Sequence, residues 1–425
     1  MTHIGLICPS VSGHLNPMTT LGHELNQRGH RVTLIGLLDA ESKTLDAGLE
    51  FRAMSESEFP LGVTEEAIAK LGKLSGLSAF RYTIELFKQF TATLLKDAPS
   101  VIKSANVEFL LIDQTSFGGS TVAQFLNIPF ISVCCALMIN QDPNAPPFNT
   151  SWLYHSTWWA RLRNQTAYQL INFSAEPIKK LIEDCREQWG LPPYTHSNDE
   201  FSQLAQLSQQ PPEFEFPRQS LPSCFHFTGP YSNPDSRKPT SFPFERLTGQ
   251  PLIYASLGTI QNRQLETFQT IAEACQSLNA QLVISLGGGD IPESLPTLPG
   301  NPIVVGYAPQ LELLQKATLT ITHAGMNTTL ESLSNGVPMV AIPIANDQPG
   351  VAARIVWTGA GEVVPLKKIS ASKLRSAIEQ VMQKDSYRKN ALKLRKAIQQ
   401  AGGVSRAADI IEEVLRTKKP VFVQR

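Results

Sequence analysis

Short apolar runs rich in β-branched residues recur along both halves of the chain, and a longer amphipathic segment follows most of them. Such runs are typical of parallel strands that are buried on both faces, and the segments between them are typical of helices. The alternation predicts an α/β protein built on doubly wound parallel sheets. The predicted strands are residues 4–8, 31–35, 109–113 and 130–133 in the first half and residues 252–256, 281–286, 303–306, 319–322 and 339–342 in the second.

The length of the chain predicts two domains. Its 425 residues exceed what a single hydrophobic core usually supports. A Pro-rich stretch between Pro211 and Pro251 separates the two sets of strands, and we expect it to lack regular structure. The expected division is an N-terminal domain over 1–228, a linker over 229–250, a C-terminal domain over 251–404, and a final helix and tail over 405–425.

Charge and composition exclude several classes of protein. The 37 basic and 37 acidic residues give a formal net charge of zero, so neither a nucleic-acid partner nor a polybasic membrane patch is expected. Residues 2–8 lack the charged start and long apolar stretch of a signal peptide, and no run reaches the length of a membrane span. None of the six cysteines has metal-ligand spacing. A cytoplasmic protein with reduced thiols is the expectation.

The segment around His323 has the features of a phosphate site. The strand predicted over 319–322 ends at His323, Gly325 permits a tight turn, and Asn327 or Thr328 is placed to cap a helix that stops at Gly336. Such a turn aims backbone N–H groups and the positive end of the helix dipole at one point, which suits a diphosphate. A buried core histidine is the alternative for His323.

The block from His323 to Glu331, with Tyr307-Ala-Pro-Gln310 before it and residues 343–348 after it, resembles the donor-binding signature of family 1 glycosyltransferases. This UDP-sugar-dependent group also contains macrolide and zeaxanthin glucosyltransferases, and the chain looks like its bacterial branch. The resemblance implies the GT-B fold, in which two Rossmann-like domains face a cleft. The N-terminal domain then holds the acceptor, the C-terminal domain holds the donor, and the last helix returns to the first domain.

The resemblance also implies a role for each residue of a donor site. His323 and the start of its helix contact the diphosphate, Glu331 the ribose, and Asp347 and Gln348 the sugar, with Gln348 favouring glucose. Thr328 and Glu331 also match a capping box, in which Glu331 would instead bond to the helix start. Tyr307 and Met326 stand where plant enzymes have Trp, so the choice between uracil and thymine stays open. The full predicted donor set is Ser256, Gly258, Thr259, Tyr307, Ala308, Gln310, His323, Gly325, Met326, Asn327, Thr328, Glu331, Asp347 and Gln348.

The catalytic candidates are His14 and Asp113 in the first half. His14 follows the first strand, ahead of a helix whose predicted start is Asn16 as cap and Pro17 in the first turn. Asp113 ends the third strand, and the carboxyl ends of parallel strands share one sheet edge, so the two side chains are expected to meet. In the family such a His is the general base and such an Asp holds its other ring nitrogen. Solvated or capping roles are the alternatives for both.

The acceptor site is the least determined feature. Phe117, Met138, Phe148 and Trp152 lie outside the predicted strands of the first half, where apolar surface suits a hydrophobic alcohol. Helix core is an equal alternative for each of them. A phenol or flavonoid, a macrolide or a carotenoid all fit, and peripheral membrane contact is expected only for a lipid or carotenoid acceptor.

Together these features predict an inverting transferase that moves a hexose from a UDP-sugar to a hydrophobic alcohol. No metal or other cofactor is expected, because the chain lacks the Asp-x-Asp pair that commonly holds a diphosphate through a cation. Two alternatives stay open: a GT-B sugar-nucleotide epimerase, and a non-catalytic partner subunit that keeps the fold. The presence of both His14 and Asp113 argues against each.

Overall fold

The computed structural model describes residues 1–71, 74, 76–233, 240–258, 265–288 and 297–423. Its strands form two separate parallel sheets, as expected for two Rossmann-like domains. The first sheet has the order β3-β2-β1-β4-β5-β6-β7 and the second the order β10-β9-β8-β11-β12-β13. The strands are β1 His3–Ile7, β2 Arg31–Gly36, β3 Glu50–Ala53, β4 Phe109–Asp113, β5 Phe130–Cys134, β6 Gln206–Ser208, β7 Phe225–Phe227, β8 Leu252–Ser256, β9 Gln281–Ser285, β10 Ile303–Val305, β11 Ala317–Thr322, β12 Met339–Ala341 and β13 Gly361–Val363.

Helices cover both faces of each sheet, which explains why the central strands are apolar along their whole length. Every residue of β1, β4 and β8 is buried. The helices are α1 Ser12–Gln27, α2 Glu41–Asp46, α3 Val63–Leu71, α4 Gly76–Ala105, α5 Gly119–Phe125, α6 Trp158–Ser174, α7 Glu176–Gln188, α8 Leu265–Cys275, α9 Gln310–Lys316, α10 Met326–Ser334, α11 Gln348–Trp357, α12 Ala371–Gln383, α13 Asp385–Ala401 and α14 Gly403–Thr417. Within the described residues, none of these helices is long and apolar enough to cross a bilayer.

The nine predicted strands are present, but β3, β6, β7 and β13 escaped prediction because each is short and interrupted by polar or charged residues. The expectation that the stretch from Pro211 to Pro251 lacks regular structure is wrong for β7. Pro222 and Pro230 flank this strand and do not interrupt it, so its backbone N–H groups remain available for pairing with β6.

The C-terminal helix α14 packs against α1 of the first sheet. Ile410, Ile411 and Val414 share a buried cluster with Leu15 and Met18. The chain therefore leaves the second sheet and ends on the first domain, where Arg28 bonds to carboxylates of α14 at the rim of the contact.

The two domains also meet at a buried ion pair. Arg354 of α11 donates from Nε to Oε2 of Glu215 at 2.9 Å, and Arg218 donates to the other carboxylate oxygen at 3.0 Å. Burial alone would raise the pKa of Glu215, but the two guanidinium groups hold it at about 2. Breaking such a pair leaves an uncompensated buried charge, so this contact fixes one side of the domain interface.

Candidate active site

The carboxyl ends of both sheets open onto one cleft of about 3190 Å³. His14 and Thr115 line it from the first domain, and His323, Glu331 and Asp347 line it from the second. Sites for one small ligand usually occupy about 300–1,000 Å³, so this cleft has room for two substrates at once. Its position at the point where the strand order reverses in each sheet is the expected ligand position for doubly wound folds.

The structure brings His14 and Asp113 together across 99 positions of sequence. Strands β1 and β4 pair in parallel, so the segments that follow them leave the same edge of the sheet. The Nδ1–H of His14 donates to Oδ2 of Asp113 at 2.9 Å, which leaves Nε2 to accept a proton. The predicted helix start is wrong: α1 begins at Ser12 after Val11, so His14 lies in its first turn and Pro17 lies inside the helix.

Asp113 has hydrogen-bond partners besides His14. Its Oδ1 accepts from the backbone N–H of Thr115 at 2.8 Å and from the Thr115 hydroxyl at 2.5 Å, and the Cys135 thiol also donates to the carboxylate. These donors fix the orientation of the carboxylate and therefore that of the imidazole bonded to it.

Burial and charge act in opposite directions on this pair. Burial by itself lowers the pKa of His14, but the charge and hydrogen bond of Asp113 outweigh it and raise that pKa above its ordinary value. For Asp113, burial would raise the pKa, but His14 and the neighbouring donors lower it. The carboxylate stays ionised and favours the protonated form of the imidazole, as a general base requires once it has taken up a proton.

Cys135 lies close enough to His14 and Asp113 for the three side chains to approach a single ion, because their ligand atoms lie within 4.8 Å of one another. No pattern in the sequence predicts this grouping. Burial raises the pKa of the Cys135 thiol well above its ordinary range, and only the thiolate is a good metal ligand. The chemistry of the group therefore fits a hydrogen-bonded dyad better than a metal site.

On the opposite side of the cleft, His323 follows β11 and lies between two glycines. A Cβ built on Gly258 would lie 2.6 Å from Nε2 of His323, and one built on Gly325 would lie 2.5 Å away. Burial lowers the pKa of His323 to about 4, so the ring is neutral at physiological pH. A neutral imidazole at the start of a helix can donate a hydrogen bond to a diphosphate without itself titrating.

The cap of helix α10 lies two or three residues before the predicted caps. Gly325 is the N-cap residue, and Met326 is the first helical residue, so neither Asn327 nor Thr328 caps. Ala324 has a φ of 65°, a conformation uncommon for a residue with a side chain and frequent at functional turns. It reverses the chain between β11 and α10.

Glu331 does not belong to a capping box, because α10 starts before Thr328. Its Oε2 accepts from Nε2 of Gln310 at 2.5 Å, and the Oε1 of Gln310 accepts from the Tyr254 hydroxyl at 3.0 Å. Gln310 thus positions the Glu331 carboxylate at the wall of the cleft. This arrangement agrees with a carboxylate that accepts hydrogen bonds from a ligand.

Two predicted donor residues touch the first domain. Nδ2 of Asn327 donates to the Gly13 carbonyl at 3.0 Å, and its Oδ1 accepts from Gln209 at 2.9 Å. The Oδ2 of Asp347 accepts from the backbone N–H of Leu137 at 3.1 Å. The side chain of Asn327 therefore bridges the two domains at the cleft, and its predicted contact with the diphosphate stays a prediction.

The other predicted donor residues differ in their contacts and exposure. Gln348 uses its Oε1 to accept from the backbone of Ile344 and Ala345, which shapes its own loop. Tyr307 is 48 % exposed at the cleft, where a ring is free to stack on a base. Thr259 lies outside the described residues. The predicted donor residues that line the cleft are Ser256, Gly258, Tyr307, Ala308, Gln310, His323, Gly325, Met326, Asn327, Thr328, Glu331, Asp347 and Gln348.

The four predicted acceptor residues divide evenly. Phe117 and Phe148 line the cleft on the first-domain side. Met138 is fully buried in a cluster with Cys134 and Phe225, and Trp152 lies under the Arg163 guanidinium at 4.4 Å from its ring centre. The acceptor assignment is therefore wrong for Met138, which packs between β5 and β7. Trp152 packs against Arg163 of α6 and does not line the cleft, so its acceptor role stays a prediction.

Sequence reasoning missed the polar groups that support the site. Thr115 was detectable, since a hydroxyl two residues after an Asp commonly closes a local turn. Cys135 and Gln209 had no local signal, because their contacts cross from one strand or domain to another. Gln209 bonds to both the Cys135 carbonyl and Asn327.

The two parallel sheets that face one cleft define the GT-B fold, as predicted. The glycosyltransferase of kitacinnamycin has the same fold with a TM-score of 0.77 at 23 % identity, over 97 % of this chain and 98 % of that chain. The chain belongs to the family described as UDP-glucoronosyl and UDP-glucosyl transferase, whose model matches residues 6–418. The resemblance seen in the sequence is thereby confirmed, and the protein is an enzyme of the transferase class.

Two curated relatives match almost the whole chain. A zeaxanthin glucosyltransferase of Pantoea ananas is 32 % identical over 427 residues, covering 99 % of this chain and 98 % of the relative. A zeaxanthin glucosyltransferase of Pseudescherichia vulneris is 32 % identical over 432 residues, covering 99 % and 100 %.

Proposed function

We propose that the protein is an inverting, metal-independent glucosyltransferase that joins glucose from UDP-glucose to a hydroxyl of a hydrophobic small molecule. The observation that supports this most strongly is the hydrogen bond from His14 to Asp113, which lies across the cleft from the family's donor-binding block. A binding protein has no need of a base oriented in this way. The buried, reduced cysteines are those expected of a cytoplasmic enzyme.

The reaction is a direct displacement. Nε2 of His14 takes the proton of the acceptor hydroxyl while the oxygen attacks the anomeric carbon, and the bond to the UDP oxygen breaks on the opposite face. Asp113 stabilises the imidazolium that forms. His323 and the backbone N–H groups at the start of α10, including that of Thr328, stabilise the charge on the departing diphosphate. An α-linked donor then gives a β-linked product.

The donor contacts follow the same scheme. Glu331 accepts from the ribose hydroxyls, Tyr307 stacks on the base, and Asp347 with the amide of Gln348 holds the sugar. Gln310 supports this set by fixing Glu331. Since Asp347 also bonds to Leu137, sugar binding and contact between the domains depend on one carboxylate.

The acceptor is a hydrophobic alcohol, as zeaxanthin is for the named relatives. Phe117 and Phe148 supply apolar surface beside His14. Phenol, macrolide and carotenoid hydroxyls share the required chemistry, and a carotenoid or lipid acceptor would bring the enzyme to a membrane surface.

The decisive experiment incubates the protein with UDP-glucose and a panel of hydrophobic alcohols, with detection by mass. We expect a product heavier by one hexose, and its anomeric proton coupling in NMR should be that of a β-glucoside. Turnover should persist in excess EDTA, because the diphosphate is held by N–H donors. An α-product would exclude displacement assisted by His14, and loss of activity in EDTA would instead implicate the group of His14, Asp113 and Cys135 in binding an ion.

A further inference from the structure

Helix α6 turns its apolar side outward. The exposed fractions are 78 % for Trp158 and 79 % for Phe173, and Trp159, Leu162 and Leu170 are exposed as well. At about 100° per residue, these five side chains fall within an arc of about 120°. We refer to these five residues as the α6 face. A helix that only packed on its own domain would bury such a stripe.

The opposite side of the same helix already has its packing partners. Ala160, Asn164 and Tyr168 are buried, and the Tyr168 hydroxyl donates to the Ala145 carbonyl at 3.2 Å. This buried side holds helix α6 against its own domain. The exposure of the α6 face is therefore not the result of a poorly packed helix. Thr166 and Gln169 lie in the same arc, but so many large apolar side chains exposed on one helix face mark an interaction site.

Helix α6 is positively charged although the whole chain is neutral. It carries Arg161 and Arg163 and no acidic residue. Tryptophans beside arginines on one helix are typical of segments that lie in the headgroup region of a bilayer, and the positive charge favours anionic lipids.

The α6 face is also continuous with the acceptor side of the cleft. Leu170 belongs to the face and lines the cleft, and Ile171 lines the cleft one residue further on. Phe80 of α4 is 44 % exposed and lines the same side. An apolar molecule can therefore pass from the α6 face into the cleft along hydrophobic surface.

We propose that the α6 face docks on an anionic lipid bilayer, so that a hydrophobic acceptor dissolved in the membrane enters the cleft without crossing water. The class of acceptor rests on the proposed function, whereas the docking itself does not. Only the α6 side of the first domain touches lipid, and the donor side remains open to UDP-glucose from the aqueous phase.

The test is co-sedimentation of the full chain with vesicles of phosphatidylcholine, with and without phosphatidylglycerol. We expect binding that depends on phosphatidylglycerol, and the double variant Trp158→Gln, Phe173→Gln should lower the bound fraction by about tenfold or more, because two interfacial aromatic groups are lost. Arg161→Gln should weaken binding to the anionic vesicles alone. The matched control is Phe422→Gln, since Phe422 is an exposed aromatic residue (58 %) far from α6 in sequence, and it should leave binding unchanged.

Activity separates this proposal from the proposed function. The double variant should keep wild-type turnover on a water-soluble phenol and lose it on an alcohol embedded in vesicles. Absence of turnover on every acceptor would refute the proposed function and leave vesicle binding as a separate result. Equal vesicle binding by wild type and double variant would overturn the docking proposal. So would a wild-type dimer in light scattering that the double variant converts to a monomer without any change in vesicle binding, because a second copy would then cover the α6 face.

Discussion

Each domain places a histidine at the carboxyl edge of its sheet, yet the pKa values of the two rings shift in opposite directions. His14 follows the first central strand of its sheet, and His323 follows the other central strand of its sheet, each at the start of a helix. His14 has the carboxylate of Asp113 at 2.9 Å and a raised pKa. His323 lies between Gly258 and Gly325, and burial lowers its pKa to about 4.

The difference shows that the position in the fold does not set the chemistry of the residue. Both sheets bring a histidine to the cleft, because the reversal of strand order opens a crevice there. The neighbours then decide the protonation of each ring: a buried carboxylate raises the pKa of His14 and burial lowers that of His323, as their proposed roles of base and neutral hydrogen-bond donor require.

The largest expected effect comes from removing the base. His14→Ala should lower turnover by about 10²–10⁴-fold and leave UDP affinity nearly unchanged, since the imidazole acts on the acceptor. Steady-state kinetics and calorimetric titration with UDP give the two quantities. His23→Ala is the control, because His23 lies on the same helix and bonds to the Ala47 carbonyl away from the cleft. Activity within a few-fold of wild type would eliminate His14 as the base.

Glutamine at each position should separate the two roles. His323→Ala should lower turnover by about 10²-fold, as expected for loss of one donor to the leaving group. His323→Gln keeps a neutral donor and should recover about tenfold of that loss, whereas His14→Gln should be as inactive as His14→Ala. If His14→Gln and His323→Gln lose the same fraction of turnover relative to their alanine variants, the two histidines do not differ in role as proposed.

The pH profile should depend on Asp113. His14 must be neutral to accept a proton, so the rate should fall as pH decreases through its raised pKa. Asp113→Asn removes the charge that raises this pKa and leaves burial, which lowers it, so the acidic limb should move to lower pH. Turnover should also fall, by less than in His14→Ala. An acidic limb that stays in place in Asp113→Asn would mean that another group titrates.

The smallest effects concern the donor. Glu331→Ala should weaken UDP and UDP-glucose alike by about tenfold, because a hydrogen bond to a charged group is lost from a contact common to both. Asp347→Ala should weaken only UDP-glucose. Titration calorimetry with both ligands distinguishes them, and Glu312→Ala on the exposed side of α9 is the control. A lower melting temperature for Glu331→Ala with unchanged UDP affinity would assign Glu331 a structural role.

The sequence by itself determined the two sheets and the meeting of His14 with Asp113. Apolar runs define buried parallel strands, and parallel strands deliver whatever follows them to one edge. That argument depends only on the positions of the strands. The wrong prediction of a helix start at Asn16 therefore did not affect it. The strands β6 and β7 escaped because their three residues include polar ones and so form no apolar run.

Tertiary structure alone decided which side chains face the cleft, which are exposed at the surface, and which join the domains. Met138 and Phe148 are both apolar residues beyond β5, yet one lies in the core and the other lines the cleft. Asn327 bridges to Gly13 although its sequence neighbours predict a phosphate contact. The outward α6 face likewise has the residue spacing of an ordinary buried helix. Hydrophobic periodicity predicts that a helix has an apolar side, but only the packing of distant segments decides what that side contacts.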